Sequence, residues 1–81
     1  MRKIYLLVEV TDSEMEGFDT QVQIFKTEEE ATECLKNHYL DITDADEVEW
    51  AEHNSDSYSV QIWEDGCYKR FEGTIIEKTI E

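Results

Sequence analysis

The sequence predicts an α+β domain in which a single helix packs on a mostly antiparallel sheet of five or six strands. Three observations lead to this fold class: apolar residues that alternate near the N-terminus, a helix-capping sequence that begins at Thr27, and an Asp65-Gly66 turn between two strand-like segments. Of the 81 residues, 40% are hydrophobic, which favours a folded core over a disordered acidic chain. The chain has no proline and three glycines, so no linker divides it, and we expect one domain over residues 1–81.

The first predicted element is a strand over residues 2–10. Its two faces alternate, one with Ile4, Leu6, Val8 and Val10, and the other with Lys3, Tyr5, Leu7 and Glu9. This period of two is typical of a strand with one face in the core. A second strand follows over residues 19–26, with Val22 and Ile24 on one face. Because residues 11–17 are polar, the two strands are predicted to form a hairpin with a long acidic loop.

The helix is predicted from its first turn. Thr27 and Glu30 are spaced as a capping box, in which the Thr27 hydroxyl accepts from the Glu30 backbone N–H and the Glu30 side chain returns the bond. Three glutamates in this turn suit the positive end of the helix dipole. A three-turn helix then lays one stripe on the sheet, formed by Ala31, Cys34, Leu35 and His38 or Tyr39, and shows Glu28, Glu29, Glu33 and Lys36 to solvent.

The segment after Leu40 has two interpretations. Residues 43–46 could cap a short second helix with Ala45, Val48 and Ala51 facing the core, or residues 47–52 could form a strand. In the strand, Val48 and Trp50 point inward and Glu47 and Glu49 point outward. The strand is favoured because residues 54–57 have a turn composition and residues 58–63 follow as an evident strand.

The C-terminal part is predicted to be a hairpin and a last strand. Asp65-Gly66 is a strong two-residue turn, because glycine accepts the positive φ that such a turn requires. Residues 67–71 return along the previous strand, Gly73 marks a bulge or bend, and residues 74–81 close the sheet.

Charge carries the main functional signal. The formal net charge is −14, and no Lys or Arg occurs between Lys36 and Lys69. Nine acidic residues fill that interval: Asp41, Asp44, Asp46, Glu47, Glu49, Glu52, Asp56, Glu64 and Asp65. So negative a chain repels nucleic acid and anionic membranes, and it favours a partner with a basic surface.

Other site chemistries fit the sequence less well. Cys34 and His38 are four residues apart on the predicted helix and could share a metal ion with His53 or Cys67, but the close ligand pairs of a zinc site are missing. The acidic run lacks the glycine and ligand spacing of a calcium loop. No catalytic or phosphate-binding motif is present, so we expect neither enzymatic activity nor a cofactor or metal.

The expected location of the chain is the cytoplasm, with both cysteines as free thiols. The N-terminal apolar run ends at Glu9, before it reaches the length of a signal peptide, and no segment is long enough to span a bilayer. Two cysteines in different elements are also fewer than a small secreted scaffold would usually have.

The acidic run itself is the candidate binding surface. Alternate residues on a strand are about 6.6 Å apart, so carboxylates there can present charges at spacings comparable with those of nucleic-acid phosphates. The residues predicted to contact a partner are Asp44, Asp46, Glu47, Glu49 and Glu52, with Trp50 as an apolar anchor. The alternative is that these acids only keep the protein soluble.

In small size, extreme acidity, α+β character and aromatic content, the chain resembles phage and mobile-element inhibitors that mimic DNA. This group includes anti-CRISPR proteins, anti-restriction proteins and the uracil-DNA glycosylase inhibitor. The resemblance is one of overall character, and it implies an inhibitor that binds the basic groove of a defence nuclease or another nucleic-acid enzyme. The alternative class is an interaction or assembly module that pairs with another chain through its last strand or an aromatic patch.

Overall fold

The computed structural model describes residues 2–14, 17–44, 48–64 and 66–80, and Glu64 only in its backbone. It has five strands and one helix, in the order β1 (Arg2–Ser13), β2 (Gly17–Phe25), α1 (Glu28–Thr43), β3 (Val48–His53), β4 (Ser57–Glu64) and β5 (Cys67–Ile80). The strands form one antiparallel sheet in the order β2-β1-β5-β4-β3, and α1 packs on one side of it. The predicted fold class is therefore confirmed, with five strands.

The predicted N-terminus of the helix is confirmed. Thr27 is the N-cap residue, and its Oγ1 accepts a hydrogen bond of 3.2 Å from the Glu30 backbone N–H. Glu28, Glu29 and Glu30 occupy the first turn, where the helix dipole favours negative charge. The helix is longer than the predicted three turns, because it continues for 16 residues to Thr43.

Removing the cap is expected to weaken the fold measurably. Thr27→Ala deletes the hydroxyl that satisfies the Glu30 N–H, and we expect the free energy of unfolding to fall by ~1 kcal/mol in urea denaturation. Thr27→Ser retains the hydroxyl and is the matched control, with an expected change of a few tenths of a kcal/mol. Equal losses in the two variants would show that the hydrogen bond contributes nothing to stability.

A small core lies between α1 and the sheet. Its fully or nearly buried residues are Leu7 from β1, Ala31 and Leu35 from α1, and Tyr58, Val60 and Ile62 from β4. Ala31 and Leu35 belong to the predicted helix stripe, which Cys34 and Tyr39 extend as partly buried residues. The predicted core face of the helix is therefore confirmed.

The core face of β1 is the opposite of the one that its apolar alternation indicates. The helix covers the face that carries Leu7 and Glu9, whereas Leu6 and Val8 lie on the other side of the sheet. The reason is the strand register: Leu7 pairs with Ile75 of β5, whose helix-facing side continues through Phe71 to the buried residues of β4. We call the side of the sheet away from α1 the open face; its apolar residues on β1, β2 and β5 are Ile4, Leu6, Val8, Val10, Phe18, Val22, Ile24, Ile76 and Ile80.

The strand interpretation of the segment after the helix is confirmed for β3, and Val48 faces the core as predicted, but the prediction that Trp50 faces inward is wrong. Val48 pairs with Ile62 and packs against the core, whereas Trp50 pairs with Gln61 and points to the open face. A register shift between Val48 and Trp50 places one extra residue, Glu49, in β3. Such a bulge reverses the alternation that a regular strand would keep.

The predicted hairpin between β4 and β5 is confirmed by the pairing of Trp63 with Tyr68. Gly66 has a φ of 75°, the positive value that the turn requires, while Asp65 lies outside the described residues. The predicted bulge or bend at Gly73 is wrong. The registers of β5 with β1 and with β4 run through Gly73 without a shift, so residues 67–80 form one strand rather than two.

The hairpin between β1 and β2 has a shorter loop than the sequence predicts. The strands pair from Tyr5–Phe25 up to Ser13–Gly17, so residues 11–13, assigned to the loop by their polarity, belong to β1. Ser13 is buried although it is polar.

In the described part of the chain, no helix is both long and apolar enough to cross a membrane.

Candidate functional site

The predicted partner-binding residues lie at the end of the helix and on β3. Asp44 is the C-cap residue of α1 and is exposed, and both Glu49 and Glu52 are exposed on β3. The Trp50 side chain retains 44% of its surface, so this residue belongs to the surface rather than to the core. The other two predicted residues, Asp46 and Glu47, lie outside the described part of the chain.

The location of β3 makes its carboxylates accessible. It is an edge strand, paired only with β4, so its outer side offers unpaired backbone groups. Charged side chains and bulges are features that prevent an edge strand from pairing with another chain. Glu49, at the bulge, and Glu52 provide both features, and they lie about 10 Å apart along the strand.

The lysine and arginine ion pairs of the described residues lie elsewhere. Lys3 Nζ is 3.5 Å from Glu77 Oε1, and Arg70 Nη2 is 2.7 Å from Glu72 Oε1. Within the described ranges, no Lys or Arg forms an ion pair with Asp44, Glu49 or Glu52. These three charges are therefore not neutralised by a described neighbour.

Ser13, where β1 ends before the acidic loop, is not adjacent to this group. Ser13 and Val48 lie in the same row at one end of the sheet, but β5 and β4 separate their strands. Three strand spacings amount to about 14 Å. Lys69 and Arg70 of β5 lie between the two segments. The candidate surface is therefore restricted to Asp44 and β3.

A second cluster of polar side chains lies between the helix and the sheet. Cys34 and His38, four residues apart on α1, come together as their spacing indicates, with Cys34 Sγ 3.6 Å from His38 Nε2. The other ring nitrogen of His38, Nδ1, is 2.7 Å from Glu9 Oε2 and 2.8 Å from Glu9 Oε1. Tyr58 Oη donates to Glu9 Oε2 at 2.6 Å. An ionised carboxylate can only accept, so a His38 tautomer with its proton on Nδ1 is the one that can donate to Glu9.

The order thiol, imidazole, carboxylate is that of a cysteine nucleophile with its base and orienting acid, but the environment opposes thiolate formation. Burial and the negative charge of Glu9 raise the pKa of Cys34. A reactive cysteine requires the reverse shift, which a helix N-terminus or a neighbouring cation supplies. Here Sγ instead donates to Gln23 Oε1 at 3.3 Å.

The same cluster attaches the helix to the sheet. Glu9 on β1 accepts from Tyr58 on β4 and contacts His38 on α1, so one carboxylate connects three elements. Burial, followed by the hydrogen bond to Glu9, raises the pKa of Tyr58 strongly, which keeps the phenol protonated. No buried side-chain nitrogen or oxygen of the described residues is left without a partner.

A pocket of about 230 Å³ opens beside this cluster, lined by Glu9, Thr11, Gln21, His38, Asp41, Ile42, Tyr58 and Phe71. Sites for drug-sized ligands usually measure about 300–1,000 Å³. The pocket is therefore smaller than the usual binding site for a small molecule.

His53 does not join the Cys34–His38 pair to form a metal site. The His53 ring stacks on Tyr39 with a centroid distance of 4.6 Å, so His53 is not directed at the Cys34–His38 pair. Across the described ranges, no group of three or more His, Cys, Asp or Glu side chains is arranged to hold a metal ion.

Sequence reasoning missed Glu9 and Tyr58 as members of this cluster. Glu9 is 29 residues from His38, and Tyr58 is 49 residues from Glu9. The only local signal was the i, i+4 spacing of Cys34 and His38, which places two side chains on one helix face. A polar Glu9 on the same strand face as Leu7 was the remaining hint, because a polar residue on a core face needs a partner.

Comparisons with known proteins returned no match: no protein-family model, no curated protein and no solved structure is similar to this chain.

Proposed function

We propose that the protein is a non-enzymatic inhibitor that binds the basic nucleic-acid groove of a defence nuclease or another nucleic-acid enzyme in the cytoplasm. It acts as a DNA mimic of the anti-CRISPR or anti-restriction type. The observation that carries the proposal is the edge strand β3. There Glu49 and Glu52 flank Trp50, all three are exposed, and neither carboxylate is ion-paired with a described cation.

The physical basis is charge spacing combined with an apolar anchor. The ~10 Å between Glu49 and Glu52 along the strand corresponds to the rise of about three nucleotides of one DNA strand along the helix axis. Asp44, before β3, and the undescribed Asp46 and Glu47 add further negative charge to the same part of the chain. Carboxylates steer the encounter with a basic groove, and a desolvated aromatic such as Trp50 supplies more of the binding energy.

The non-enzymatic part of the proposal is supported by the Cys34 environment. The Cys34 thiol contacts the His38 ring, which in turn contacts the Glu9 carboxylate. The pKa of this thiol is raised, so at neutral pH it is a weak nucleophile. The Glu9 carboxylate beside it is engaged by Tyr58 and His38, a role in packing rather than in proton transfer.

Charge reversal on β3 tests the proposal. The triple variant Asp44→Lys, Glu49→Lys, Glu52→Lys is expected to raise the inhibition constant roughly 100-fold, or ~0.9 kcal/mol per reversed charge. The assay measures how well the protein displaces a fluorescent DNA duplex from a purified nuclease. The nucleases tested include any that the immobilised protein captures from a lysate. Inhibition by the wild-type protein is expected to weaken steeply as the salt concentration rises from about 0.1 M to about 1 M.

The control reverses three exposed acids elsewhere: Asp19→Lys on β2, Glu33→Lys on α1 and Asp56→Lys before β4. Its net charge changes by the same amount, so it reproduces the loss of long-range attraction without touching β3. We expect its inhibition constant to rise less than about tenfold. If the two triple variants have equal effects, or if neither has an effect, the acids of β3 do not bind the partner specifically and only keep the protein soluble.

An assembly module is the second candidate function, and the open face favours it. The exposed apolar side chains of that face, Val22, Ile24 and Ile76 among them, offer a contact that does not depend on charge. Binding through such a face changes little or strengthens with salt, whereas binding to a basic groove weakens.

A further inference from the structure

The open face exposes apolar side chains on β2, β1 and β5. An antiparallel sheet with one solvated face usually carries polar side chains there. In this sheet, one cross-strand row of apolar side chains, Ile24–Leu6–Ile76, runs across β2, β1 and β5, and Val22 pairs with Val8 beside it. Ile24 retains 67% of its accessible surface, Val22 55% and Ile76 42%.

No element of the described chain packs on this face, since the single helix lies on the other side of the sheet. Contiguous apolar patches of more than a few hundred Å² are rare on monomeric proteins and mark interaction sites. The exposed apolar side chains of the open face therefore indicate an interaction surface, and the charge of that face indicates its partner.

The charge of the open face differs from that of the rest of the protein. Its regularly paired, described positions carry three cations and three acids, namely Arg2, Arg70, Lys78, Asp12, Glu52 and Glu72. The formal charges of these positions sum to zero in a chain whose total is −14. A basic partner would be drawn to the acidic surfaces instead. A neutral apolar face suits a second copy, because identical faces meet in a two-fold contact and must not repel each other.

β1 and β5, two of the three strands that carry the apolar side chains of the open face, are the longest strands of the sheet, with 12 and 14 residues. An interface of standard size buries ~800 Å² per partner. Two sheets pack face to face at a distance of about 10 Å. In that arrangement the helices and most carboxylates of both copies remain on the outside.

We propose that the open face is a homodimer interface, in which two copies pack sheet against sheet around Leu6, Val8, Val22, Ile24 and Ile76. This contact centres on β2, β1 and β5, whereas the acidic strand β3 is the opposite edge of the sheet, and the two interactions have opposite salt dependences. Salt screens the repulsion between two bodies of charge −14, so dimerisation strengthens with salt while binding to a basic groove weakens.

The test is the mass of the protein in solution. Sedimentation equilibrium should show twice the chain mass of 9.6 kDa at ~100 µM, with a dissociation constant that falls as salt rises. Ile24→Lys places a charge in the apolar row Ile24–Leu6–Ile76 of both copies and is expected to weaken dimerisation at least ~100-fold. Gln21→Lys, on the same strand but on the opposite side of the sheet, makes the same change in charge and should dimerise like the wild-type protein.

Methyl NMR provides a second measurement that does not depend on a variant. On dilution, the methyl signals of Val8, Val22 and Ile24 should shift, while those of Leu7 and Leu35 in the core should not. A wild-type protein that remains a monomer at ~100 µM in high salt would overturn the proposal, and would assign the open face to a different protein or segment. A dimer that folded Ile24→Lys forms as well as the wild type would overturn the location of the interface.

Discussion

Leu7→Ala is expected to lower the free energy of unfolding by ~3 kcal/mol, the largest effect of any single substitution proposed for this protein. Leu7 is fully buried between α1 and the sheet, and the cavity left by its side chain cannot close without moving Leu35 or Val60. A domain of 81 residues has a total stability of only about 4–12 kcal/mol. The variant is therefore expected to unfold at a much lower urea concentration.

Leu6→Ala is the matched control, because it removes the same atoms from the adjacent residue on the open face. In the monomer its expected cost is below ~1 kcal/mol, since Leu6 is only half-buried. Both substitutions should be measured in the Ile24→Lys background, where self-association does not contribute. A larger loss for Leu6→Ala than for Leu7→Ala in that background would mean that the helix covers the other face.

Gly73→Ala is expected to cost ~2–3 kcal/mol through overpacking. Gly73 lies in β5 directly opposite Tyr58, and the Tyr58 ring occupies the space that a methyl group at Gly73 would need. The φ of Gly73 is not in the positive range, so the cost is steric and does not come from the backbone conformation. The Tyr58 ring cannot easily move away, because it is buried and its hydroxyl donates to Glu9.

A double-mutant cycle with Tyr58→Leu isolates this contact. The smaller side chain leaves room for the methyl group, so Gly73→Ala should cost less than ~1 kcal/mol in that background. Thr74→Ala, on the neighbouring exposed residue, is the control for strand propensity, with an expected loss of about 0.5 kcal/mol in urea denaturation. A full-sized loss for Gly73→Ala in the Tyr58→Leu background would mean that the ring is not the obstacle.

The two proposed surfaces can coexist on one molecule. The acids of β3 are on an edge of the sheet, and the apolar side chains of the open face are centred on β1 and its neighbours β2 and β5. A dimer through the open face would present two copies of the acidic edge strand to a partner. Because Trp50 and Glu52 point to the side of the open face, a partner at β3 would approach near the rim of the dimer contact.

Several elements were determined by the sequence itself, because the interactions that define them lie within a few residues. The Thr27 cap joins residues three apart, Gly66 sets its turn by its own backbone dihedral, and the Ala31–Leu35 stripe follows from helix geometry. β3 was predicted by its neighbouring turn composition. The strong negative charge follows from composition alone and requires no fold.

Only the tertiary structure decided which face of β1 lies in the core. Both faces of that strand carry apolar residues, and the choice depends on pairing Leu7 with Ile75, 68 positions later in the chain. The Glu9 cluster likewise requires side chains from α1, β1 and β4. The bulge that turns Trp50 outward is set by its register with β4. These long-range registers are set by the free energy of the whole sheet and helix together. The local periodicity of one strand therefore does not predict them.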